Sequence, residues 1–294
     1  MNQPTQTEIF DHNRRQAFRA RAARRGGGIV GGDMFLWRYM AQDLADRLAY
    51  VCRDFANVLI IGPMTAYADT ILADRKIEIT RAHLIGETLA SAHDLAIAED
   101  RLPFAPQSFD LIITAGTLDS VNDLPGTLIQ MRRCLRPDGL MLCTMFGAGT
   151  LSTLKGAMMA ADGPAVVPHI HPQIDLRSAA DLLTRASFAL PVADQDAVAV
   201  RYSQLAHLIA DLRDMGVGNA LSGARSYFGK AAYARLLEAW HRKAGADGKV
   251  EEQFNLINIS GWAPSPDQPK PAKRGSASVS MASILGRKVE GVTR

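Results

Sequence analysis

Two patterns of apolar residues alternate along the chain. Short continuous apolar runs predict buried strands, whereas stretches with an apolar residue every third or fourth position predict amphipathic helices. The predicted strands cover 58–61, 77–80, 95–98, 111–114, 140–145 and 253–260. The predicted helices cover 35–51, 84–92, 124–135, 178–186, 205–215 and 230–243. This alternation predicts an α/β fold, a doubly wound and mostly parallel sheet with helices on both faces.

Local signals support several of these helices. Asp43 and Arg47 stand four residues apart on the polar side of the first one, a spacing that predicts a surface ion pair. Ser178 is the predicted N-cap of the helix at 178–186. Gly216 follows the last apolar residue of the helix at 205–215, which predicts its C-terminal end.

Both ends of the chain differ in composition from the body. Residues 1–32 are rich in arginine and glycine and predict a basic, helical N-terminal arm. We expect its arginines to form a solvated face, and contact with an anionic partner is the alternative. Residues 33–263 form the predicted folded domain. Residues 264–294 have too few apolar side chains to offset the entropy of ordering, so a disordered basic tail is expected there. A short helix near 279–285 that docks on a partner is the alternative.

Charge and cysteine content exclude several classes of function. The net charge is +3, and because each basic end carries +4, the body carries −5. Nucleic-acid binding by the folded domain is therefore not expected. No apolar run is long enough to span a membrane and the N-terminus has no signal-peptide core, so we predict a cytoplasmic protein. Cys52, Cys134 and Cys143 form no C-x-x-C pair, which argues against disulfides and zinc knuckles.

The loop after the first predicted strand has an unusual composition. Four β-formers from Val58 end at Gly62, where nucleotide-binding folds place a glycine-rich loop. Glycines in such loops let the backbone approach a cofactor closely. Here Met64 and Ala66 occupy the later glycine positions.

Two motifs carry a resemblance to a known superfamily. The stretch LPFAPQSFDL at 102–111 and the LRPDG segment at 135–139 resemble the class I S-adenosylmethionine-dependent methyltransferases. Further segments at 9–11, 122–126, 182–191, 211–216 and 261–264 resemble one branch of it. That branch contains a mitochondrial complex I assembly factor with arginine hydroxylase activity and malonyl-acyl-carrier-protein O-methyltransferase. The resemblance implies a Rossmann-like sheet of seven strands, with the last strand antiparallel.

The resemblance also implies a place for S-adenosylmethionine over the carboxyl ends of the first strands. The implied cofactor-binding residues are Gly62, Met64, Thr65, Thr80, Glu99, Asp100 and Thr114. Several positions depart from the superfamily pattern. Ile60 stands where an acid is usual in the first strand, Thr80 and Arg81 stand where an acid accepts the ribose hydroxyls, and Ala98 replaces an aspartate. The sequence therefore leaves two alternatives: the protein binds the cofactor, or it has lost this binding.

Candidate catalytic and substrate residues follow from the same comparison. Asp119 lies in the loop that faces the acceptor and could accept a proton or bind a guanidinium; alternatively, Asp119 or Asn122 caps the next helix. Asn122, Tyr202 and Arg213 are candidate substrate contacts, with Arg201 as another choice for a substrate carboxylate. Each has a structural alternative, namely an ion pair for Arg213 and core packing for Tyr202.

A histidine pair raises a metal hypothesis. His169, His171 and Asp175 supply the two imidazoles and one carboxylate that an oxygen-activating iron site requires. The prolines beside the histidines favour a loop, and nothing beyond this spacing supports iron, so no metal is expected.

These observations favour an enzyme that uses S-adenosylmethionine to modify a protein or a carrier-bound substrate. The alternatives are an arginine hydroxylase like the complex I assembly factor, and a non-catalytic assembly or binding protein that has lost the cofactor. The basic tail is a candidate docking segment for a partner in the last case.

Overall fold

A seven-stranded sheet forms the centre of the computed structural model, which describes residues 8–25, 34–72, 77–163, 167–223 and 229–268. The strands are β1 (Asn57–Ile61), β2 (Glu78–Leu84), β3 (Leu95–Ile97), β4 (Phe109–Ala115), β5 (Leu135–Phe146), β6 (Ala189–Tyr202) and β7 (Val250–Trp262). Their order is β3-β2-β1-β4-β5-β7-β6. The first five strands pair in parallel, and β7 runs antiparallel to both β5 and β6. The predicted fold class and the antiparallel last strand are confirmed.

Helices cover both faces of this sheet. They are α1 (His12–Arg24), α2 (Phe35–Ala49), α3 (Ala68–Ile71), α4 (Leu124–Cys134), α5 (Ser152–Asp162), α6 (Leu176–Arg185), α7 (Leu205–Asp214) and α8 (Lys230–His241). Side chains alternate across each strand, so Ile60 packs in the core with α2 and α8 whereas Leu59 packs in the core with α4 and α6. The apolar runs of the central strands are therefore buried on both sides, as in other parallel sheets.

Two predictions around the second strand are wrong. Strand β2 continues from Glu78 to Leu84 instead of ending at Thr80, and no helix forms over 84–92. The buried polar residue His83 explains the first error, because it interrupts the apolar run. Its imidazole Nε2 lies 2.9 Å from Asp94 Oδ2 and its Nδ1 lies 3.3 Å from Thr65 Oγ1. These polar partners allow a histidine in the interior.

Of the three local helix signals, the side-chain geometry confirms the ion pair and contradicts the N-cap. The predicted surface pair forms, with Arg47 Nε donating to Asp43 Oδ2 at 2.6 Å. The N-cap prediction for Ser178 is wrong, because α6 begins two residues earlier. Asp175 is its N-cap and accepts a hydrogen bond from Ser178 N at 2.9 Å.

The N-terminal helix α1 is packed onto the domain. Arg15 is only 3% exposed, so the prediction that the arginines of this arm form a solvated face is wrong for this residue. A β-carbon added at Gly86 would lie 2.6 Å from the carbonyl oxygen of Gln16, which shows how closely α1 approaches the loop after β2. Ile9 O and Asp11 N bond the segment after α7, at Ser222 N and Ala220 O respectively.

The end of the chain forms a unit of its own. Contacts divide the protein into residues 1–264 and residues 265–294. The described part of the second unit is a turn in which Gln268 N donates to Ser265 O. The rest of the tail, including the alternative docking helix near 279–285, lies outside the described residues. Among the helices that the structure describes, none has the length and apolar character to cross a membrane.

Candidate functional site

A cavity of about 500 Å³ opens at the carboxyl ends of the parallel strands. Pro63 after β1, Glu87 after β2, and Gly116 and Asp119 after β4 line one part of it. The remainder of the lining comes from α1, α5, α7 and the segment after α7, together with the end of β5 and the loop after it, residues 167–173 and Phe254 of β7. Ligands of open α/β sheets bind at this edge, where the strand order reverses, so the cavity is the candidate functional site.

Three of the predicted cofactor residues are buried and stabilise the loop after β1. Gly62 has a φ of +71°, and a β-carbon there would lie 2.6 Å from Thr117 Oγ1. Thr65 Oγ1 donates to Gly62 O at 2.9 Å, and Thr114 Oγ1 lies 2.8 Å from Thr117 Oγ1. Gly62, Thr65 and Thr114 are therefore buried supports of the loop and do not line the cavity.

Met64 is part of the hydrophobic core. Its side chain is fully buried in the cluster that contains Ile60 and Ile71, and it does not line the cavity. The structure thus gives Met64 a packing role in place of the predicted cofactor contact. Replacement of Met64 by glycine would leave a cavity in the core and would not bring the cofactor closer to the backbone.

Replacement of Met64 by alanine is expected to lower the free energy of unfolding by about 2 to 4 kcal/mol, because the change leaves a cavity in the core. Urea denaturation of both proteins measures this loss. Met159→Ala is the matched control, since Met159 is 51% exposed on α5 and its truncation should cost less than about 0.5 kcal/mol. Equal losses in the two variants would contradict the core assignment of Met64.

Glu87 is the acidic residue at the end of the second strand. One carboxylate oxygen accepts a hydrogen bond from Leu84 N at 2.8 Å, and the residue lines the cavity. Burial raises the pKa of Glu87 to about 7, although the charge of Arg19 opposes this rise. Thr80, predicted at this place, instead lies in mid-strand opposite Leu59, four residues before β2 ends.

Glu99 is enclosed by two arginines of α1. Arg15 Nη1 donates to Glu99 Oε1 and to Ser120 O, and Arg19 Nη2 lies 2.8 Å from Glu99 Oε1. The carboxylate has no exposed surface and is absent from the cavity lining. Burial opposes its ionisation, but hydrogen bonds from Arg19 and the charges of both arginines outweigh that cost and lower the pKa of Glu99. Glu99 therefore holds α1 in place.

Asp100 is the next predicted cofactor residue. It also lies outside the cavity lining, and its backbone carbonyl accepts a hydrogen bond from Gln130 Nε2 on α4 at 2.8 Å. In this conformation the two acidic residues after β3 are thus structural ties to α1 and α4.

Asp119 is the predicted catalytic residue that the structure does place in the cavity. Its Oδ1 accepts a hydrogen bond from Phe146 N at the end of β5, whereas its buried Oδ2 has no hydrogen-bond partner among the described residues. Burial raises the pKa of Asp119 to about 7. A buried carboxylate oxygen without a partner is costly and suits a site that receives a donor from a ligand.

The capping alternative for this loop is wrong. Asp123 caps α4, accepting from Gly126 N at 2.8 Å, so neither Asp119 nor Asn122 has that role. Asn122 binds the N-terminal segment instead, through Phe10 N at 2.8 Å and Phe10 O at 3.0 Å. It therefore fixes α1 and does not line the cavity.

Of the remaining candidate substrate residues, one lines the cavity and two do not. Arg213 is exposed on α7 and lines the cavity. Tyr202 is 5% exposed and donates its hydroxyl to Asp211 Oδ2 at 3.0 Å, away from the cavity lining. Arg201 pairs with Asp247 at 2.6 Å, so it too is engaged elsewhere.

The three residues of the iron hypothesis have separate partners. His169 Nε2 lies 2.8 Å from Asp162, and His171 Nε2 accepts a hydrogen bond from Ala220 N at 2.9 Å. Asp175 is committed to capping α6. Burial lowers the pKa of His171 to about 4, so its imidazole stays neutral and its Nε2 lone pair is used by the backbone. Within the described chain, no group of His, Cys, Asp and Glu residues has the arrangement of a metal site.

Sequence reasoning missed Glu87 and the arginines of α1. The glutamate follows a glycine directly after the strand, and this signal became visible only once the strand was known to end at Leu84. The pairing of Arg15 with Glu99 joins positions 84 residues apart, and local periodicity contains no signal for such a contact.

Comparisons with known proteins agree with this fold. Residues 59–143 match the family described as "Methyltransferase domain". A solved structure, the YcgJ protein from Bacillus subtilis, has a TM-score of 0.51 and 13% sequence identity and covers 77% of this chain and 99% of its own. At this identity the likeness concerns the fold alone.

Two groups of relatives match beyond this domain. Arginine-hydroxylase NDUFAF5, mitochondrial, from Danio rerio is 29% identical over 85% of this chain and 82% of its own length. Malonyl-[acyl-carrier protein] O-methyltransferase from Xylella fastidiosa is 36% identical over 56% of this chain and 55% of its own. The cytoplasmic location predicted from the sequence is overturned, because the relatives matched over most of their length are named as mitochondrial proteins. Together, the matched domain, the strand order and these relatives show that the chain is a member of the class I S-adenosylmethionine-dependent methyltransferase superfamily.

Proposed function

We propose that the protein transfers a methyl group from S-adenosylmethionine to an acceptor on a protein or a carrier-bound substrate. The observation that carries this proposal is the carboxylate of Asp119, which lines the cavity with Gly116 after β4 and whose buried Oδ2 has no hydrogen-bond partner among the described residues. By its printed name, the relative from Xylella fastidiosa methylates a malonyl group that is attached to an acyl-carrier protein. A cavity that opens beside a helix suits a substrate that enters as part of such a molecule.

The residues at one side of the cavity fit the cofactor. Gly116 has a φ of +63°, and the ring of Trp37 leaves no room for a side chain there, so the backbone itself faces the cavity. The carboxylate of Glu87 lies after β2, where superfamily members hold the ribose hydroxyls. When bound, the cofactor supplies an electrophilic methyl group. Glu99 does not take part in this conformation, because both of its oxygens accept from arginines.

Asp119 acts on the acceptor. Methyl transfer needs alignment of the acceptor with the methyl group, and a base only where the acceptor carries a proton. A carboxylate with a pKa of about 7 can hold the N–H or O–H of such an acceptor and take its proton near neutral pH. Phe146 and Phe254 contribute apolar surface to the lining of this cavity.

Titration of the purified protein with S-adenosylhomocysteine in a calorimeter tests the cofactor site. Replacement of Glu87 by glutamine is expected to weaken the binding about tenfold, because a carboxylate acceptor of two hydroxyl groups is lost. Asp100→Asn is the matched control, since Asp100 has no place in the cavity lining, and its affinity should remain that of the parent protein. No binding at millimolar ligand in the parent protein would refute the proposed function.

Arginine hydroxylation is a second candidate function, favoured by the similarity to the relative from Danio rerio over most of both chains. Asp119 could bind the guanidinium of a substrate arginine in this case. Mass spectrometry of a treated acceptor protein distinguishes the two reactions, since methylation adds about 14 Da and hydroxylation about 16 Da to the modified residue.

A further inference from the structure

The residues that line the cavity carry both signs of charge. Asp119 and Glu87 supply carboxylates, whereas arginines of α1, among them Arg21, and Arg213 of α7 supply guanidinium groups. Leu154, Ile209, Leu212 and Phe254 are among the residues that make the lining apolar elsewhere. A ligand that fills this space therefore meets carboxylates, apolar walls and guanidinium groups.

Most arginines of the N-terminal segment already have anionic or carbonyl partners. Arg14 donates to Gly223 O at 2.6 Å and pairs with Asp11, while Arg15 and Arg19 pair with Glu99. Arg25 Nε lies 2.5 Å from Asp214 Oδ1. These arginines are neutralised or held by the protein itself, so they are not available to a ligand.

Arg21 and Arg213 differ from these residues. Both are exposed, both line the cavity, and neither forms an ion pair or a side-chain hydrogen bond with any residue in the described ranges. They come from two helices, α1 and α7, that pack against each other. The pair of Arg25 with Asp214 joins the residue four after Arg21 to the residue directly after Arg213.

The contact between α1 and the end of α7 is close. A β-carbon added to Gly216 would lie 3.4 Å from the Cβ of Ala22 and from the Cα of Arg19. The two unpaired guanidinium groups thus project from packed elements whose relative position is fixed. Guanidinium groups bind phosphate and carboxylate oxygens through paired, charge-assisted hydrogen bonds.

We infer that Arg21 and Arg213 form an anion-binding site at the mouth of the cavity, which takes a phosphate or carboxylate on the arm that joins the acceptor to its carrier or protein. The inference rests on the proposed function, because it assumes that the acceptor itself lies at Asp119. The anion and the acceptor are then separated by the apolar part of the cavity. An acceptor whose arm is neutral binds more weakly than one whose arm carries an anion.

Two matched pairs of probes test this site in the full-length protein by calorimetry. Pantetheine 4′-phosphate and pantetheine differ by a phosphate, and N-acetylglutamate amide and N-acetylglutamine amide differ by a carboxylate. In at least one pair, the anionic member is expected to bind about tenfold more tightly than the neutral member, as charge-assisted hydrogen bonds predict. The pair that responds identifies the source of the anion.

The variants Arg21→Gln and Arg213→Gln are each expected to remove this preference. Arg24→Gln is the matched control, since Arg24 is an exposed arginine of the same helix that does not line the cavity, and it should retain the preference. An equal affinity for both members of each pair, or a preference that survives in both cavity variants, would overturn the inference. S-adenosylhomocysteine titrated into the same samples tests the proposed function separately, because the binding of that compound depends on Glu87.

Discussion

Replacement of Glu99 by alanine is expected to lower the free energy of unfolding by about 3 to 5 kcal/mol, because Arg15 would remain buried without a counter-charge. Arg19 is 11% exposed and can turn towards solvent, but Arg15 is only 3% exposed. Urea denaturation followed by circular dichroism measures the loss. We also expect α1 to detach before the rest of the domain unfolds, which hydrogen exchange of residues 12–24 would show.

Two further variants distinguish the loss of the buried ion pair from a general effect of removing a charged side chain. Asp100→Ala removes the neighbouring carboxylate, whose side chain has no partner in the described chain, and should change stability by less than about 0.5 kcal/mol. Replacement of both Arg15 and Glu99 by methionine should restore most of the loss, since no unpaired charge is left in the interior. A loss below about 1 kcal/mol in Glu99→Ala would contradict the buried pair.

The pH dependence of this effect follows from the lowered pKa of Glu99. A carboxylate whose pKa is lower in the folded than in the unfolded protein stabilises the fold above the unfolded pKa, and this contribution is lost as the pH falls through the folded pKa. The difference between the parent protein and Glu99→Gln should therefore be full at neutral pH. It should decrease as the pH falls below the unfolded glutamate pKa of 4.5 and through the lower pKa of the folded protein.

The central strands could be predicted from the sequence because their burial is uniform. Residues 58–61 and 111–113 are apolar on both faces of the sheet, and the predicted ranges 58–61 and 111–114 lie within β1 and β4. The edge strand β6 carries no such signal, because exposed and half-buried residues alternate along its 14 residues. The end of β2 is not predicted from the sequence for a different reason. His83 is polar, and its burial depends on the hydrogen-bond partners Asp94 and Thr65.

The candidate site was predictable only where a residue follows a central strand directly. Asp119 follows β4 and was identified from its position in the loop. Glu87 was not predicted, because the predicted second strand ends at Thr80 and the observed strand β2 ends at Leu84. Met64 occupies a glycine position in the sequence pattern, but its side chain points into the core because the chain turns into a short 3-10 helix after Gly62. Side-chain direction after such a turn is a property of packing and is not visible in the order of residues.

Replacement of Asp119 by asparagine is expected to decrease the rate of methyl transfer by a factor of about 10² to 10⁴, the usual contribution of a positioned acid or base. The affinity for S-adenosylhomocysteine should stay within about threefold of the parent value, since the ribose is held at Glu87. The parent rate should rise with pH through about 7, where Asp119 ionises, and the variant should lack this rise. A matched pH profile in both proteins would contradict a role for Asp119 at the acceptor.

Stability measurements on the same variant separate a catalytic carboxylate from a structural one. Burial raises the pKa of Asp119 from 3.8 to about 7, so the unfolded chain releases this proton first and the fold loses stability as the pH rises between these values. Asp119→Asn, which stays neutral, should therefore be more stable than the parent at pH 8 and similar to it at pH 4. Asp123→Ala is the opposite control: loss of the α4 cap should cost about 1 kcal/mol while the methyl-transfer rate is retained. A gain in stability together with a loss of rate is the result expected of a residue whose unpartnered oxygen serves the substrate, whereas a loss of both would assign Asp119 to the fold.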